Sequence, residues 1–186
     1  MSNTRESRVL FLLTGSIACF KACELISRLA KQGIAVQTVA SAGALQFVGA
    51  ATLEGLTGRP PFTDLYQAGR AMDHIHLARW ADAALVCPAT ANAMNRLAAG
   101  LAEDAIGALF LAWEIAEKPW LIAPAMNASM WDHPATRASR QRLADYGAQV
   151  LPVGDGRLAC GESGEGRLAE LAEIETALLQ ALGPPR

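Results

Sequence analysis

Five short apolar runs, each separated from the next by a longer stretch of helical period, limit what this chain can become. The runs lie at about 8–13, 35–40, 82–87, 119–123 and 148–152, and they carry Val, Leu, Ile and Ala with few polar interruptions. A strand that is apolar on both sides must be covered on both sides, which is how a parallel sheet between two helical layers reads. Helical period fills the gaps at about 17–32, 42–56, 92–101, 104–117, 134–146 and 168–182. Gly33 suits the end of the first helix because it can take positive φ, and Pro60 and Pro61 forbid continuation of the second. The stretch 62–73 is the least regular, and 154–166, with five glycines, is the one flexible candidate. Strand, helix, strand, repeated without a hairpin signal, implies right-handed crossovers and an α/β, doubly wound, Rossmann-like parallel sheet with helices on both faces.

At 186 residues and 52% hydrophobic content, a single domain over 1–186 is expected, with 1–7 and 183–186 frayed. Sixteen Lys and Arg against eighteen Asp and Glu leave a formal charge of -2, which provides no broad positive field for nucleic acid. The longest uncharged stretch, Val9 to Phe20, falls short of the roughly 20 apolar residues of a membrane helix, so no membrane partner is expected. Arg5 and Arg8 before the apolar run, with Ser16 to Cys19 after it, imitate a short export signal, but the apolar core is brief and its removal would delete the first strand. The cysteines at 19, 23, 87 and 160 form no C-x-x-C pair, which fits free thiols and a cytoplasmic location.

Ligands of doubly wound sheets sit beyond the carboxyl ends of the strands. The loops there carry unusual residues. T-G-S-I-A, Thr14 to Ala18, places a glycine and a serine where a helix starts, which suits a phosphate; Ser16 as a plain helix cap explains it equally well. It is not the dinucleotide fingerprint, since Ile17 and Phe20 stand where glycines would be needed. Ser41 adds a second hydroxyl or caps the next helix. C-P-A-T-A-N, Cys87 to Asn92, offers small residues for a flat ligand beside two hydrogen-bonding ones, or simply a capped helix start. In D-H-I-H-L-A-R-W, Asp73 to Trp80, a helix would point His74 and His76 in different directions, so no shared metal site is expected, and one histidine could serve as an acid-base group or be a surface residue. A-P-A-M-N-A-S-M-W, Ala123 to Trp131, holds an amide among thioethers and an indole, and G-R-L-A-C-G-E-S-G-E-G-R, Gly156 to Arg167, encloses one thiol in glycines as a flap or an ordinary turn.

Taken together, P-A-M-N-A-S-M-W (124–131) and L-A-C-G-E-S-G-E-G-R (158–167), supported by T-G-S-I-A, H-I-H-L-A-R-W-A-D and P-A-T-A-N in the same order, resemble the flavin-containing cysteine decarboxylase family. The likeness spans about 9–170 and is closest to the branch acting on phosphopantothenoylcysteine in coenzyme A biosynthesis. The resemblance implies FMN, its phosphate near Gly15 and Ser16, with Ser41, Ala89 and Thr90 lining the remainder. It implies His74 as the catalytic histidine, Asn127 as the holder of the substrate carboxylate, Met130 in the same substrate-binding motif and Cys160 as the clamp cysteine; His76 falls where the family varies. It also implies a homo-oligomer, a homotrimer or a dodecamer of trimers, with flavin sites between subunits.

The implied chemistry suits these residue types. A cysteine carboxylate cannot leave as CO2 until the neighbouring carbon can accept electrons, and oxidation of the thiol to a thioaldehyde creates that sink. Loss of CO2 gives an ene-thiol, and its re-reduction gives 4'-phosphopantetheine from 4'-phosphopantothenoylcysteine. His74 would assist proton movement, Asn127 would orient the carboxylate without a positive charge that favours the ground state, and Cys160 would donate the last proton. The alternatives are a peptidyl-cysteine decarboxylase that stops at a C-terminal ene-thiol and, from another class, a non-catalytic flavoprotein regulator. Cys160 in its clamp argues against the first, and the absence of an acidic tail argues against the second.

Overall fold

The structure, a computed structural model, describes residues 6–157, 161 and 163–183. Cys160 and most of the two expected loose ends lie outside them. Five parallel strands, β1 (Arg8–Leu13), β2 (Ala35–Ala40), β3 (Ala83–Ala89), β4 (Trp120–Pro124) and β5 (Gln149–Val150), form one sheet in the order β2-β1-β3-β4-β5. The winding runs outward from β1 in one direction and outward from β3 in the other, so the crevice between β1 and β3 is the switch point.

The sheet divides the core in two because successive side chains of a strand point to opposite faces. Val9, Phe11 and Leu13 of β1, with Leu85 of β3, join one cluster under α1 (Cys19–Lys31), α2 (Ala50–Thr57) and α8 (Leu171–Leu182). Leu10 and Leu12, with Val86 and Ile122, join the other under α3 (Asp73–Trp80), α4 (Ala91–Ala98), α5 (Ala105–Leu111) and α7 (Pro134–Asp145). All five apolar residues of β1 are fully buried. Each such side chain contributes about 1.5–3 kcal/mol relative to exposure, so β1 is the spine from which the loop at residue 14 is projected.

Four elements depart from the pattern read in the sequence. The helix expected over 42–56 is a single 3-10 turn, Ala44–Gln46, then α2, because Gly49 is extended (φ -74°, ψ 149°) and interrupts the ladder. The helix expected over 104–117 stops at Leu111; the chain then turns so that Trp113 packs edge-on against Trp120 at 5.5 Å and its Nε1 donates to the Lys118 carbonyl. The fifth strand is two residues long rather than five, since it pairs on one side only. The region without a hairpin signal contains one: β6 (Gly154–Arg157) and β7 (Ser163–Arg167) pair antiparallel, apart from the main sheet. A short helix, α6 (Ala128–Asp132), follows β4.

Candidate active site

A cavity of about 780 Å³ opens at the carboxyl ends of β1, β2 and β3, within the about 300–1,000 Å³ typical of cofactor sites. Its floor is two loops in backbone contact: a Cβ built on Gly15 would lie 3.0–3.2 Å from the backbone of Gly43. The Ser41 amide donates to the Leu13 carbonyl (3.1 Å), tying the second loop to the first strand. Ser16 Oγ accepts from the Ala18 amide (3.2 Å) and Ser41 Oγ from the Ala44 amide (3.1 Å). Both hydroxyls therefore act as local caps, and each keeps its O–H for a ligand. The amides of Gly15, Ser16, Ile17, Ala42 and Gly43 donate to no acceptor among the described residues. This is a nest of donors suited to a phosphate.

The loop after β3 is joined to the loop after β1 through Thr14. Its buried hydroxyl donates to the Pro88 carbonyl (2.6 Å) and accepts from the Thr90 amide (3.0 Å). Thr90 in turn caps α4 by accepting from the Ala93 amide (3.2 Å). Thr90, Ala91 and Asn92 face the cavity, whereas Ala89 is buried behind them with its carbonyl accepting from the Ala125 amide (2.9 Å). Gly15, Ser16, Ser41 and Thr90 thus line one cavity, and Ala89 supports its wall from behind.

The outer wall holds residues the sequence reading did not single out. Arg96 Nη1 donates to Asp104 Oδ2 (2.8 Å), and Asp104 Oδ1 accepts from the Gly107 amide (2.9 Å) as the cap of α5. A Cβ on Gly107 would lie 2.2 Å from the Leu101 carbonyl oxygen, so α5 fits closely against the turn before it. Asp104 before a helical run is a recognisable cap signal. Arg96, one helical turn beyond Asn92, is legible as a cavity residue only after Asn92 is known to face inward.

The loop after β4 carries Asn127, which is not itself a lining residue of the cavity although Ala125, Met126 and Met130 beside it are. Its Oδ1 accepts from the Met130 amide (2.8 Å), making it the cap of α6, and its Nδ2 makes no hydrogen bond among the described residues. Capping fixes the amide plane and leaves its donor end for a ligand. Met126 and Met130 line the cavity on either side of it, and Met130 is 46% exposed. The hairpin rests on this loop, the Met126 amide donating to the Gly166 carbonyl (2.9 Å). Cys160, between the hairpin strands in sequence, lies outside the described residues.

His74 and His76 diverge on α3, as a helical reading of their spacing requires: His74 is half-buried and His76 exposed. His74 is not in the cavity wall, and its Nδ1 is buried without a partner among the described residues. Its helix is held at both ends. Arg70 Nε pairs with Asp73 Oδ2 (2.6 Å) at the start, and Lys118 Nζ donates to the carbonyls of Ala78 and Ala81 at the finish. Burial lowers the Lys118 pKa from its usual value. Beneath the cradle, Cys19 donates to the Thr14 carbonyl (3.2 Å), and burial raises the pKa of Cys19, Cys23 and, most strongly, Cys87. These thiols stay protonated and inert at neutral pH. No group of side chains among the described residues could hold a metal ion, and no helix is long and apolar enough to cross a membrane.

Comparison with known proteins matches the Flavoprotein family model over residues 1–183. The chain is 43% identical over 169 residues to the coenzyme A biosynthesis bifunctional protein CoaBC of Mycobacterium tuberculosis, covering 91% of this chain and 40% of that protein. It is 40% identical over 176 residues to the CoaBC protein of Bacillus subtilis, covering 94% of this chain and 42% of that protein. The chain therefore spans about two fifths of the length of these curated relatives. Among solved structures, a PPC decarboxylase mutant complexed with pantothenoylaminoethenethiol superimposes with a TM-score of 0.82 at 29% identity, over 94% of this chain and 97% of that one. The FMN-dependent cysteine decarboxylase SpaF does so with a TM-score of 0.77 at 32% identity, over 94% and 97%.

Proposed function

The chain belongs to the Flavoprotein family, alongside FMN-dependent cysteine decarboxylases, and from that premise we propose that it binds FMN and converts 4'-phosphopantothenoylcysteine to 4'-phosphopantetheine and CO2. The residues present fit that cofactor. The missing side chains of Gly15 and Gly43 let the two loops touch at the cavity floor, those loops carry amides without an acceptor among the described residues and two serine hydroxyls, and Thr90 to Asn92 line the facing wall. Gly15, Ser16 and Ser41 would hold the phosphate, and Thr90, backed by Ala89, the remainder. Bound FMN supplies a two-electron acceptor and donor next to the substrate's thiol-bearing carbon.

One observation carries the substrate side of the reading: Asn127, between the lining residues Met126 and Met130, commits its Oδ1 to α6 and keeps its Nδ2 hydrogens without an acceptor among the described residues. A neutral donor aligns a carboxylate without the ion pairing that would stabilise it against departure. Met130 would close the apolar side of that subsite and exclude water. His74 would carry a proton through a ring already partly dehydrated, and Cys160 would donate the final proton to the reduced product. The site is proposed to form between subunits of a homotrimer, or of a dodecamer of trimers. His74 lies away from the cavity of its own chain, and Ile17, Phe20 and Phe47 expose apolar side chains (57%, 65% and 51%) on the segments leaving the cradle. A cytoplasmic location accompanies this reading.

Purified protein is expected to show oxidised-flavin absorbance, to release CO2 from 4'-phosphopantothenoylcysteine and to yield a product with the mass of saturated 4'-phosphopantetheine. Colourless protein that takes up no added FMN overturns the cofactor. An ene-thiol product from a C-terminal cysteinyl peptide, with no turnover of the phosphopantothenoyl substrate, reassigns the substrate. Bound FMN without turnover of either points to a regulator.

A further inference from the structure

We propose that Gly166 is a positioning residue that seats the β6–β7 hairpin on the Asn127 loop, with Gly164 as its second point of contact, so that hairpin and asparagine meet the substrate as one unit. This rests on the reading of Asn127 as the carboxylate holder.

The contact is made by backbone against backbone. Gly166 is held at φ +125°, and a Cβ placed there would lie 2.6 Å from the Met126 carbonyl oxygen and 3.2 Å from that of Asn127. The Gly166 carbonyl accepts from the Met126 amide (2.9 Å), so the same peptide that forbids a side chain supplies the bond. Two residues earlier, a Cβ on Gly164 would lie 3.0 Å from Ala128 Cβ, at the first turn of the helix that Asn127 caps. Gly164 and Gly166 thus share the face of β7 that rests on residues 126–128. Beyond the hairpin, Arg167 Nη2 pairs with Glu170 Oε1 (2.7 Å), and Glu170 caps α8, which anchors the exit of the strand. Among the described residues the hairpin has no partner strand in the main sheet. Its placement against residues 126–128 therefore depends on this seat. Displacement of a positioning element by about 1 Å is enough to cost on the order of a hundredfold in rate.

Gly156 provides an internal control. It lies on the opposite strand of the hairpin at φ +131°, a similar φ, but its nearest neighbour, Arg167 Nε, is 4.0 Å from the ideal Cβ and nothing of the Asn127 loop lies within that distance. Gly156→Ala carries the conformational cost without the collision. Gly166→Ala is expected to lower kcat/KM about a hundredfold, with FMN absorbance retained, while Gly156→Ala, which lacks the collision, is expected to lose at least about tenfold less. Equal losses in the two variants overturn the proposal, as does full activity in Gly166→Ala.

The second test is a rescue. Gly164→Ala is expected to lose activity about tenfold, and adding Ala128→Gly, which removes the colliding atom but not the strain of alanine at φ +157°, is expected to restore a measurable part of it. No restoration overturns the proposal even if Gly166→Ala fails to fold. A third measurement is independent of catalysis: amide exchange at Met126 should accelerate about tenfold in Gly166→Ala and not in Gly156→Ala, with the β1 and β3 amides unchanged. Unchanged Met126 exchange overturns the seat. Absence of turnover in the parent protein overturns the functional reading and leaves this exchange result to decide the seat.

Discussion

The cradle at Gly15 and the hairpin seat at Gly166 are both places where one backbone touches another because a side chain is missing, but they are supported differently. The cradle joins loops that grow from β1 and β2, which are hydrogen-bonded along their whole length and buried on both faces. The seat joins a loop of the sheet to a two-stranded hairpin outside it, held by one backbone bond and an ion pair at its base. On the proposed reading, a phosphate kept through every turnover would need a fixed mould, whereas a surface crossed by each substrate and product would need an element of lower local stability. The division between the two halves of the site follows the division between sheet and appendage.

The sharpest way to break this division is at Asn127. Asn127→Asp keeps the oxygen that caps α6 but exchanges the Nδ2 donor for an oxygen that repels a carboxylate, so turnover is expected to fall by about 10²–10³-fold, with Tm and flavin absorbance unchanged. Loss of flavin in that variant would show that the halves are not separable. Gly15→Ala acts on the other half. Its methyl group would press on the Gly43 backbone, and overpacking of about 1–3 kcal/mol predicts weaker FMN binding measured by fluorescence titration, with turnover recovered at saturating FMN. A smaller change is expected for Thr90→Ala, which removes the cap of α4. About 1 kcal/mol should appear as a Tm lower by roughly 2–4 °C, with weaker FMN binding and turnover recovered at saturating FMN.

The last test uses pH. Cys19, Cys23 and Cys87 have folded pKa values raised above 9.0 by burial. Their contribution to stability is fully present below pH 9 and is lost as pH rises toward the folded values, because only the unfolded chain then releases the protons. Chemical denaturation from pH 8 to 10.5 should show a declining midpoint, and Cys87→Ala should flatten that decline. Lys118, lowered by burial, contributes with the opposite sign over the same range, so Lys118→Met should steepen it.

Much of the rigid half was legible in the sequence. β1 and β2 fall at 8–13 and 35–40, where unbroken apolar runs place them, because burial on both faces leaves a plain signal. Ser16, Ser41 and Thr90 were readable as helix caps or ligand groups; Thr90 is the cap of α4, whereas Ser16 and Ser41 each accept from one local amide and the N-caps of the next turns are Ala18 and Gly43. Gly43 was passed over because its partner, Gly15, is 28 residues away in sequence and meets it only through the parallel pairing of β1 with β2. The appended half was readable by resemblance but not by pattern. G-D-G-R and S-G-E-G-R lack the β-branched and aromatic residues that mark strands, and their pairing depends on glycine conformations and on a surface supplied by another loop. Asn127 was marked as unusual by its neighbours, yet its capping bond depends on α6, a helix too short to leave a periodic signal. Ala89 shows the limit of motif transfer: the position adjoins the site, but β3 turns its side chain into the core.

Because loops from four strands of one sheet wall the cavity, and Thr14 stitches two of them together across the switch point, no half of the fold can hold the yellow chromophore alone. Release of the dye on heating should then coincide with collapse of the sheet, giving the molecule a built-in thermometer whose emission reports the melting of its own scaffold.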